Sequence, residues 1–353
     1  MERVKVLIID DSMLVCRVIT SVLSGDPAFE VVGTANDPYE AREMIKVLKP
    51  DVLTLDIEMP KMDGITFLRN LMRLHPLPVV MLSTFTARGA DATLQALASG
   101  AVDYMQKPLL GAQGIAAEDF SAELKDKLKA AASLKNKIAI SLRPALRDES
   151  MSILDRLNLK EAQGHRVIAI GASTGGTEAL QDVLSVLPLD TPPIVIVQHI
   201  SASFSQRLAS RINRKSAILV VEATDGQRLE SGVAYLAPGG KHLKVKRQGA
   251  FLVCKVEDSE LVNRHKPSVG VLFDSLLSAH IEVAIAILLT GMGSDGAEAM
   301  LRLRAAGAYT IAQDETTSLI WGMPGSAVKL GAAIEVLPLN EISQSLVEWL
   351  QKS

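Results

Sequence analysis

The sequence has 353 residues, of which 48% are hydrophobic and 22% are charged, and its formal net charge is −3. This length predicts two domains, and this composition can bury full cores, which excludes a largely disordered protein. The slightly acidic balance gives no support to nucleic-acid binding, and the two distant cysteines, Cys16 and Cys254, exclude a cysteine-based zinc site and fit a reducing compartment.

The apolar runs and the N-terminus bear on localisation. No apolar run approaches the roughly 18 residues of a membrane-spanning helix, and the longest, Val283 to Leu289, has the length of a buried strand. The first residues lead directly into a short strand and do not form a signal peptide. We therefore expect a cytoplasmic protein without membrane insertion.

The first third of the chain alternates apolar runs with amphipathic segments. The runs predict strands at Val4–Ile9, Phe29–Val32, Val52–Leu55, Val79–Leu82 and Ala101–Met105. Helices are predicted near residues 12–24, 37–48, 65–74 and 87–99, with Ser12 and Asn36 as candidate N-caps. This alternation is typical of a five-stranded parallel, doubly wound α/β sheet, whose functional edge lies at the carboxyl ends of its strands.

Polar residues gather at that edge. They are Asp10 and Asp11 after the first strand, Asp56 after the third, Ser83 and Thr84 after the fourth, and Lys107 after the fifth. Three carboxylates repel one another unless a hard cation such as Mg²⁺ lies among them. A carboxylate can attack phosphorus, and a hydroxyl and a lysine can hold the phosphoryl oxygens. A single aspartate at a strand end can simply start a turn, but the combination favours a phosphoryl site.

Residues 1 to about 125 resemble a receiver domain of two-component response regulators, which has a flavodoxin-like sheet. The resemblance implies that Asp56 accepts a phosphoryl group from a histidine kinase. It implies that Mg²⁺ is held by Asp10, Asp11, Asp56 and the backbone of Glu58.

The same resemblance implies a switch beside the phosphoryl group. Ser83 would be the hydroxyl that moves toward it and Lys107 its cation, with Thr84 as the alternative hydroxyl. Tyr104 matches the aromatic position that turns inward on activation, and an ordinary packed aromatic is the alternative interpretation.

A helical pattern runs from Ala117 to about Lys137, with apolar residues at Leu124, Leu128 and Ala131. The mixed, charged and weakly periodic stretch 136–163 is predicted to be an interdomain linker. The predicted domains are therefore 1–125, a helix and linker at 126–163, and a second domain at 164–353.

The second domain repeats the strand–helix alternation. Strands are predicted at 166–171, 194–198, 217–221, 283–289, 309–313 and 333–336. A β-hairpin is predicted from Leu243–Val245, a turn at Arg247–Gly249 and Ala250–Val256. We expect a doubly wound, mostly parallel α/β sheet with a hairpin.

The first strand of this domain ends in Gly171-Ala172-Ser173-Thr174-Gly175-Gly176. This segment fits Gly-x-Ser-x-Gly, in which small neighbours allow a sharp turn that exposes the serine hydroxyl. The same residues could instead cradle a phosphate at a helix start, and the local sequence does not decide between the two.

The rest of the domain offers a base and an orienting carboxylate. His199 follows the 194–198 strand at the same edge as Ser173 and is the favoured base. Asp295 lies in a glycine-rich turn after the 283–289 strand and is the favoured partner, with Asp314 as its competitor and a helix N-cap as its alternative role. The backbone N–H of Met292 could help form an oxyanion hole.

Two further histidines, His242 and His265, lie in predicted loops and could line the pocket. The predicted chemistry is acyl transfer by serine, histidine and aspartate. The order Ser…His…Asp differs from the Ser…Asp…His order of α/β-hydrolases, so we do not expect an ordinary member of that fold.

The whole chain resembles the chemotaxis response-regulator protein-glutamate methylesterases (CheB). Five motifs carry the resemblance: the 171–176 segment, Gln198-His199, residues 265–269 (His-Lys-Pro-Ser-Val), residues 290–297 (Thr-Gly-Met-Gly-Ser-Asp-Gly-Ala), and residues 312–315 with Gly322-Met323-Pro324. The family implies hydrolysis of glutamate γ-methyl esters on chemoreceptors and deamidation of receptor glutamines, with no cofactor in the catalytic domain. It places Ser173, His199 and Asp295 in a catalytic triad and Met292 at the oxyanion position. Thr174 and His265 become candidate pocket contacts.

Two positions depart from the family pattern. Gly270 stands where relatives usually carry an acidic residue, and Ala299 stands where glycine is common. Neither belongs to the triad.

The family also implies that the receiver domain inhibits the enzyme until Asp56 is phosphorylated. The competing hypothesis is a response regulator with a non-catalytic nucleotide- or partner-binding output domain. The 171–176 loop lacks the lysine of a P-loop, which disfavours that alternative. A DNA-binding regulator is disfavoured because no basic recognition helix is present.

Overall fold

The computed structural model describes residues 3–84, 87–108, 115–135, 166–281 and 283–352. The chain divides into two compact units, residues 1–149 and 150–353. The predicted linker at 136–163 lies outside the described residues, so its bounds stay a prediction.

Five strands form the sheet of the N-terminal unit. They are β1 (Val4–Ile9), β2 (Phe29–Ala35), β3 (Val52–Asp56), β4 (Val79–Ser83) and β5 (Asp103–Gln106). Their order is β2-β1-β3-β4-β5, and every pairing is parallel. The predicted five-stranded parallel sheet is confirmed, although β2 is longer than predicted and β5 begins two residues later. All residues of the central β3 and of β4 are buried, as expected for strands covered by helices on both faces.

Four helices of this unit connect successive strands, and a fifth follows β5. They are α1 (Met13–Ser24), α2 (Pro38–Leu48), α3 (Gly64–Leu74), α4 (Ala87–Ala98) and α5 (Ile115–Ala132). Ser12 caps α1 as predicted, because its side chain accepts a hydrogen bond from the N–H of Val15. The predicted cap Asn36 is wrong. Asp37 caps α2 instead, because Pro38 is suited to the first helical position and makes the residue before it extended.

Helix α5 covers most of the predicted 117–137 helix. Its predicted apolar positions Leu124, Leu128 and Ala131 are fully buried. This apolar stripe anchors the helix to the unit, as the spacing of three to four residues requires. The last two residues of the prediction lie outside the described part of the chain.

Seven strands form the main sheet of the C-terminal unit. They are β6 (Arg166–Ala172), β7 (Ile194–Gln198), β8 (Leu219–Glu222), β9 (Val233–Leu236), β12 (Val283–Leu288), β13 (Tyr309–Gln313) and β14 (Glu335–Leu337). Their order is β14-β13-β12-β6-β7-β9-β8. Every pairing in this sheet is parallel, whereas the sequence predicted a mostly parallel sheet. Strand β8 begins two residues later than predicted, and so does β14. Strand β9 was missed because only four residues separate turn-forming segments on either side.

A separate two-stranded sheet follows β9. Strands β10 (His242–Gln248) and β11 (Phe251–Glu257) pair antiparallel from His242↔Glu257 to Gln248↔Phe251. The predicted hairpin is confirmed, but β10 is longer than predicted, β11 begins and ends one residue later, and the turn is shorter. The turn contains Gly249 at φ 61°, a left-handed conformation that glycine adopts without strain.

The helices of this unit lie between its strands. They are α6 (Gly176–Ser185), α7 (Ala202–Asn213), α8 (Val269–Ser278), α9 (Ala297–Ala305), α10 (Met323–Lys329) and α11 (Leu339–Lys352). Helix α8 buries Leu272, Phe273 and Leu276 in the core against β6, β7 and β12. A search of the described helices found none with the length and apolar character that a membrane crossing needs.

Candidate functional site

An acidic cluster lies at the carboxyl edge of the N-terminal sheet. The register pairs Ile9 with Leu55, so the next residues, Asp10 and Asp56, end neighbouring strands. Oxygen atoms of Asp10, Asp11 and Asp56 all lie within 4.8 Å of one another. Asp10 and Asp56 are buried, whereas Asp11 is exposed. The structure therefore brings together the three carboxylates that the sequence predicted at this edge.

Lys107 bridges two of these carboxylates. Its Nζ lies 2.9 Å from Oδ2 of Asp10 and 2.7 Å from Oδ2 of Asp56. Burial lowers the pKa of Lys107, but the two carboxylates outweigh burial, so its pKa is raised. The lysine is thus a firmly held cation beside Asp56.

The surroundings of Asp56, unlike those of Lys107, disfavour its ionised form. Burial raises the pKa of its carboxyl to about 6; Lys107 and the backbone N–H of Glu58 oppose this effect, and the charge of Asp10 reinforces it. The N–H of Glu58 lies 3.3 Å from Oδ1 of Asp56. One shared ammonium group is therefore not enough to stabilise the ionised form in full.

The cluster fits a hard divalent cation. Its donors are carboxylate oxygens, which Mg²⁺ prefers, and an open, solvent-facing Asp11 leaves access for the water ligands that Mg²⁺ retains. The side chain of Glu58 does not belong to the cluster, so this residue could contribute only through its backbone.

The predicted switch residues flank the cluster. Ser83 is fully buried; its Oγ accepts a hydrogen bond from Thr93 Oγ1 of α4 at 3.0 Å and lies 3.5 Å from the carbonyl of Gly89. Thr84 is half-buried. The backbone N–H of Lys107 donates to the carbonyl of Ser83 at 2.9 Å. Ser83 is thus held toward α4 in this structure.

Tyr104 is 7% exposed. The Nζ of Lys127, on α5, lies 5.1 Å from its ring centroid, a cation–π distance. The side chain is packed inward, which fits both interpretations that the sequence left open.

In the C-terminal unit, Ser173 follows β6 in the sharp turn before α6. Gly175 has φ 79°, and a Cβ there would lie 2.8 Å from Cβ of Leu319, so only glycine fits. Across the sheet, Ala172 pairs with Gln198, so Ser173 and His199 are the first residues beyond two adjacent strands. The Nε2 of Gln198 donates to the carbonyls of Ser173 and His199, at 2.8 and 3.2 Å.

His199 contacts the predicted carboxylate. Its Nε2 lies 2.9 Å from Oδ2 of Asp295. Its Nδ1 is buried and has no hydrogen-bond partner among the residues that the structure describes. In the serine-protease arrangement Nδ1 faces the aspartate and Nε2 the serine, so the ring is used here in the opposite sense.

Asp295 is 2% exposed and accepts five hydrogen bonds. Its Oδ2 accepts from His199 and from the N–H of Val269, at 2.9 and 2.7 Å. Its Oδ1 accepts from Asn263 Nδ2 and Ser268 Oγ, both at 2.9 Å. The fifth donor is the N–H of Gly270, at 3.2 Å from Oδ1.

These donors reverse the effect of burial on Asp295. Burial raises its pKa, but hydrogen bonds from His199, Asn263 and the N–H of Val269, together with the charge of His199, hold it well below its usual range. Two of the N–H groups belong to the first turn of α8, where the helix dipole also favours negative charge. The depressed pKa keeps Asp295 ionised at neutral pH beside His199.

The competing Asp314 does not take this place. Its carboxylate accepts from the side chain of Thr316 and from the N–H and Oγ1 of Thr317, so it caps its own turn. The structure brings together His199 and Asp295 instead.

The two candidate pocket residues lie differently. The ring of His265 stacks on that of His199, with centroids 3.7 Å apart and planes 12° apart. Thr174 is 7% exposed, and its carbonyl accepts from Thr290 Oγ1 at 3.0 Å. Met292 is half-buried in the turn before Asp295.

The prediction that His242 lies in a loop is wrong. It is the first residue of β10 and is fully buried, rather than a loop residue lining a pocket. Its Nδ1 accepts from the N–H of Ser268 at 3.2 Å, and its Nε2 contacts the carbonyl of Glu260 at 2.9 Å. His242 therefore holds the segment that holds Asp295.

Sequence reasoning missed Asn263 and Ser268 as partners of Asp295. Ser268 could have been found as the N-cap of α8, because serine before an apolar helical run is a start signal. Asn263 gave no signal, because it lies in a loop 32 residues from Asp295. The Gly270 departure does have a geometric consequence, since a Cβ there would lie 3.2 Å from Oδ1 of Asp295.

Two family models match the chain. The CheB methylesterase model matches residues 168–346, and the response regulator receiver domain model matches residues 6–117.

Full-length relatives and a solved structure are also similar. The chain is 50% identical over 352 residues to protein-glutamate methylesterase/protein-glutamine glutaminase 2 of Saccharophagus degradans, with 100% of both chains covered. It is 47% identical over 377 residues to the protein-glutamate methylesterase/protein-glutamine glutaminase of Hydrogenovibrio crunogenus, again with 100% of both covered. The crystal structure of the Thermotoga maritima CheB methylesterase catalytic domain is 35% identical, with a TM-score of 0.51, and the match covers 52% of this chain and 98% of that one.

The methylesterase model matches half of the chain, the receiver model matches most of the rest, and relatives about half identical to it extend over its full length. The protein therefore belongs to the CheB methylesterase family.

Proposed function

We propose that this protein is a protein-glutamate methylesterase that hydrolyses glutamate γ-methyl esters on chemoreceptors and deamidates receptor glutamines. Its action would be cytoplasmic and controlled by phosphorylation of Asp56. The observation that carries the proposal is the convergence of three residues on adjacent strands: Ser173 follows β6, His199 follows β7, and Asp295 lies in the turn after β12. The 2.9 Å contact between His199 and Asp295 supports the base and its orienter.

The reaction begins with the serine. Ser173 Oγ attacks the ester carbonyl while its proton passes to Nδ1 of His199, the ring nitrogen that Asp295 does not hold. Asp295 keeps the other proton on Nε2 and stabilises the imidazolium that forms. The tetrahedral intermediate collapses, Nδ1 returns the proton to the methoxide oxygen, and methanol leaves an acyl-enzyme. A water molecule then repeats the sequence, with His199 as its base, and releases the glutamate; for a glutamine substrate the leaving group is ammonia.

The negative charge on the carbonyl oxygen needs a donor. We assign this role to the backbone N–H of Met292, three residues before Asp295. Within the described residues, no hydrogen-bond acceptor is recorded for that N–H, whereas the N–H groups of Ser173 and Gly291 donate to Thr290 and Ile320. A donor left without an internal partner at the site is suited to a developing oxyanion. Thr174 and His265 would contact the substrate around this centre.

The N-terminal unit would supply the control, as a receiver domain over residues 1–125 joined by the 126–163 segment to the catalytic domain at 164–353. Asp56 would take a phosphoryl group from a chemotaxis histidine kinase. Mg²⁺ would be held by Asp10, Asp11, Asp56 and the backbone of Glu58, and it would neutralise charge on the phosphoryl oxygens. Lys107, already 2.7 Å from Asp56, would pair with the phosphoryl group.

Ser83 would then leave its contact with Thr93 and turn toward the phosphoryl group, and Tyr104 would respond. Ser83 is favoured over Thr84 as the switch hydroxyl because Ser83 is completely buried, whereas Thr84 is half-buried. The receiver domain would inhibit the catalytic domain until this change occurs.

The test measures methanol release from methylated chemoreceptor membranes. We would compare the intact protein, Ser173→Ala and Ser210→Ala, each with and without acetyl phosphate and Mg²⁺. Ser210 is an exposed serine on α7 and serves as the matched control. We expect release that rises with the phosphodonor, persists in Ser210→Ala and vanishes in Ser173→Ala. Release that survives in Ser173→Ala would contradict the mechanism, and no release from any cognate receptor would favour a non-catalytic output domain.

A further inference from the structure

The five hydrogen-bond donors to the carboxylate of Asp295 come unequally from three segments of the chain. Three of its donors belong to consecutive residues at the start of α8: Ser268 Oγ and the N–H groups of Val269 and Gly270. His199 is the fourth donor. The fifth donor, Asn263, reaches the carboxylate from a third segment, with its Nδ2 at 2.9 Å from Oδ1. A neutral amide at that position supports the ionised carboxylate without competing with His199 for a proton.

The backbone around Asn263 forms a tight turn. Val262 and His265 exchange two backbone hydrogen bonds, of 3.1 and 2.9 Å. The two residues between them, Asn263 and Arg264, have φ of 53° and 67°. Two successive left-handed residues define a turn that asparagine tolerates better than most side chains.

This turn touches both members of the catalytic pair. Asn263 binds Asp295, and two residues later the ring of His265 stacks on His199 at 3.7 Å. Residues 258–264 are exposed, so the turn approaches the pair from the solvent side. The turn therefore contacts the side chains of both His199 and Asp295.

We propose that Asn263 is a positioning residue for the reaction: it fixes Oδ1 of Asp295 so that Oδ2 stays aligned with Nε2 of His199. The inference rests on the Ser-His-Asp mechanism proposed above. The side chain of Asn263 donates to Asp295, so the proposed role is exerted through that carboxylate.

The proposal has a signature that a merely structural role lacks. Without the amide, Oδ2 of Asp295 is held less firmly in line with Nε2 of His199, so the carboxylate stabilises the imidazolium that forms in the reaction less well. The loss therefore falls on kcat and leaves KM unchanged, because the imidazolium forms in the transition state and not in the substrate complex.

The experiment uses the full-length protein with acetyl phosphate and Mg²⁺ on methylated receptor membranes. Asn263→Gly removes the amide and keeps the left-handed backbone, because glycine adopts positive φ freely. Asn263→Asp keeps the size of the side chain but places a second carboxylate against Asp295. Leu261→Gly, at a side chain 55% exposed in the same loop, is the control for added loop flexibility.

We expect Asn263→Gly to lower kcat by about 10-fold with KM unchanged. We expect Asn263→Asp to lower kcat further, because two carboxylates at hydrogen-bond distance cannot both stay ionised. It also provides the second test if Asn263→Gly does not fold. Leu261→Gly should behave as wild type.

Three results would overturn the proposal. The first is an Asn263→Gly enzyme with wild-type kcat. The second is a rise in KM alone, which would make Asn263 a substrate contact. The third is an equal loss in Leu261→Gly, which would make loop flexibility the cause. Ser173→Ala, measured in the same series, separates these results from failure of the proposed function, in which wild type and Ser173→Ala would match and both proposals would fall.

Discussion

Two buried aspartates lie at the carboxyl edges of two parallel sheets in this protein, and their surroundings differ in kind. Burial raises the pKa of Asp56 to about 6 despite Lys107, whereas the donors around Asp295 overcome burial and hold its pKa well below the usual range. Asp56 shares one ammonium group with Asp10 and receives one backbone N–H at 3.3 Å. Asp295 accepts five hydrogen bonds.

The comparison shows that burial alone does not set the pKa of a carboxylate, because the number of hydrogen-bond donors around it decides whether the ionised form is stabilised. The protein leaves Asp56 incompletely compensated, so an incoming cation would stabilise its ionised form. It compensates Asp295 in full, which suits the orienting role that we propose for this carboxylate. The comparison suggests variants that affect one site and leave the other unchanged.

The largest effect is expected at Asp295. Asp295→Asn keeps the shape but loses the charge that stabilises the His199 imidazolium, and its amide cannot accept all five donors. We expect kcat to fall by about 10³- to 10⁴-fold, with and without phosphodonor. Steady-state methanol release measures it, and a loss below 10-fold would show that Asp295 is not the main orienter.

Asp56→Asn should do the opposite. It removes the carboxylate proposed to accept the phosphoryl group and changes no residue of the catalytic unit, so stimulation by acetyl phosphate should vanish while basal release stays within about 2-fold. Stimulation that persists would place the phosphorylation site elsewhere.

Removal of divalent cations should distinguish the two sites without a mutation. Chelation should abolish phosphorylation of the receiver domain, because three carboxylates within 4.8 Å then lack their counter-ion. Basal ester hydrolysis should be unaffected, since no metal is assigned to the catalytic unit. Phosphate incorporation and methanol release, followed in the same samples, check both halves, and a fall in basal hydrolysis would contradict the second.

The pH dependence of stability should separate Asp295 from an ordinary carboxylate. Its pKa is depressed in the folded state, so its ionised form stabilises the fold above its unfolded pKa of about 4, and this stabilisation is lost as pH falls below that value. Wild type should exceed Asp295→Asn by about 2–4 kcal/mol between pH 5 and 7, and the difference should shrink below about pH 4. Urea unfolding can be followed by tryptophan fluorescence, because both tryptophans, Trp321 and Trp349, belong to the C-terminal unit. A difference independent of pH would refute the assignment.

The smallest effect provides the reference. Asp274 and Arg302 form an exposed ion pair of 2.8 Å between α8 and α9, with side chains 45% and 51% exposed. Asp274→Ala should cost about 0.5 kcal/mol or less, because solvent screens such pairs, and should leave kcat unchanged. A cost as large as that of Asp295→Asn would undermine the link between compensation and burial.

The sequence was sufficient for the features that depend on strand ends. Ser173, His199 and Asp295 were predicted because parallel strands place their carboxyl ends at one edge, and the same reasoning gathered Asp10, Asp11 and Asp56. The sheets followed from apolar runs of ordinary length. Strand β9 was not predicted, because four residues between turns give too weak a hydrophobic pattern.

What the sequence did not predict depends on contacts between loops. Asn263 reaches Asp295 through two left-handed residues, a conformation that the local sequence permits but does not require. His242 was assigned to a loop because its burial depends on Glu260 and Ser268, which follow it in the chain. The wrong cap Asn36 has a local cause, since Pro38 moves the helix start by one residue.

The order of strands in the C-terminal sheet also determines the stage of folding at which the protein can become active. Strand β12 pairs with β6, joining Val283 to Arg166, although the hairpin and several other elements separate them in the chain. A growing polypeptide that already contains Ser173 and His199 therefore still lacks the strand that carries Asp295 to their side. Such distant pairings form late in folding, because the intervening chain must first be ordered. Esterase activity should consequently appear only after β12 has joined the sheet, so the catalytic reaction itself reports that this half of the chain has finished folding.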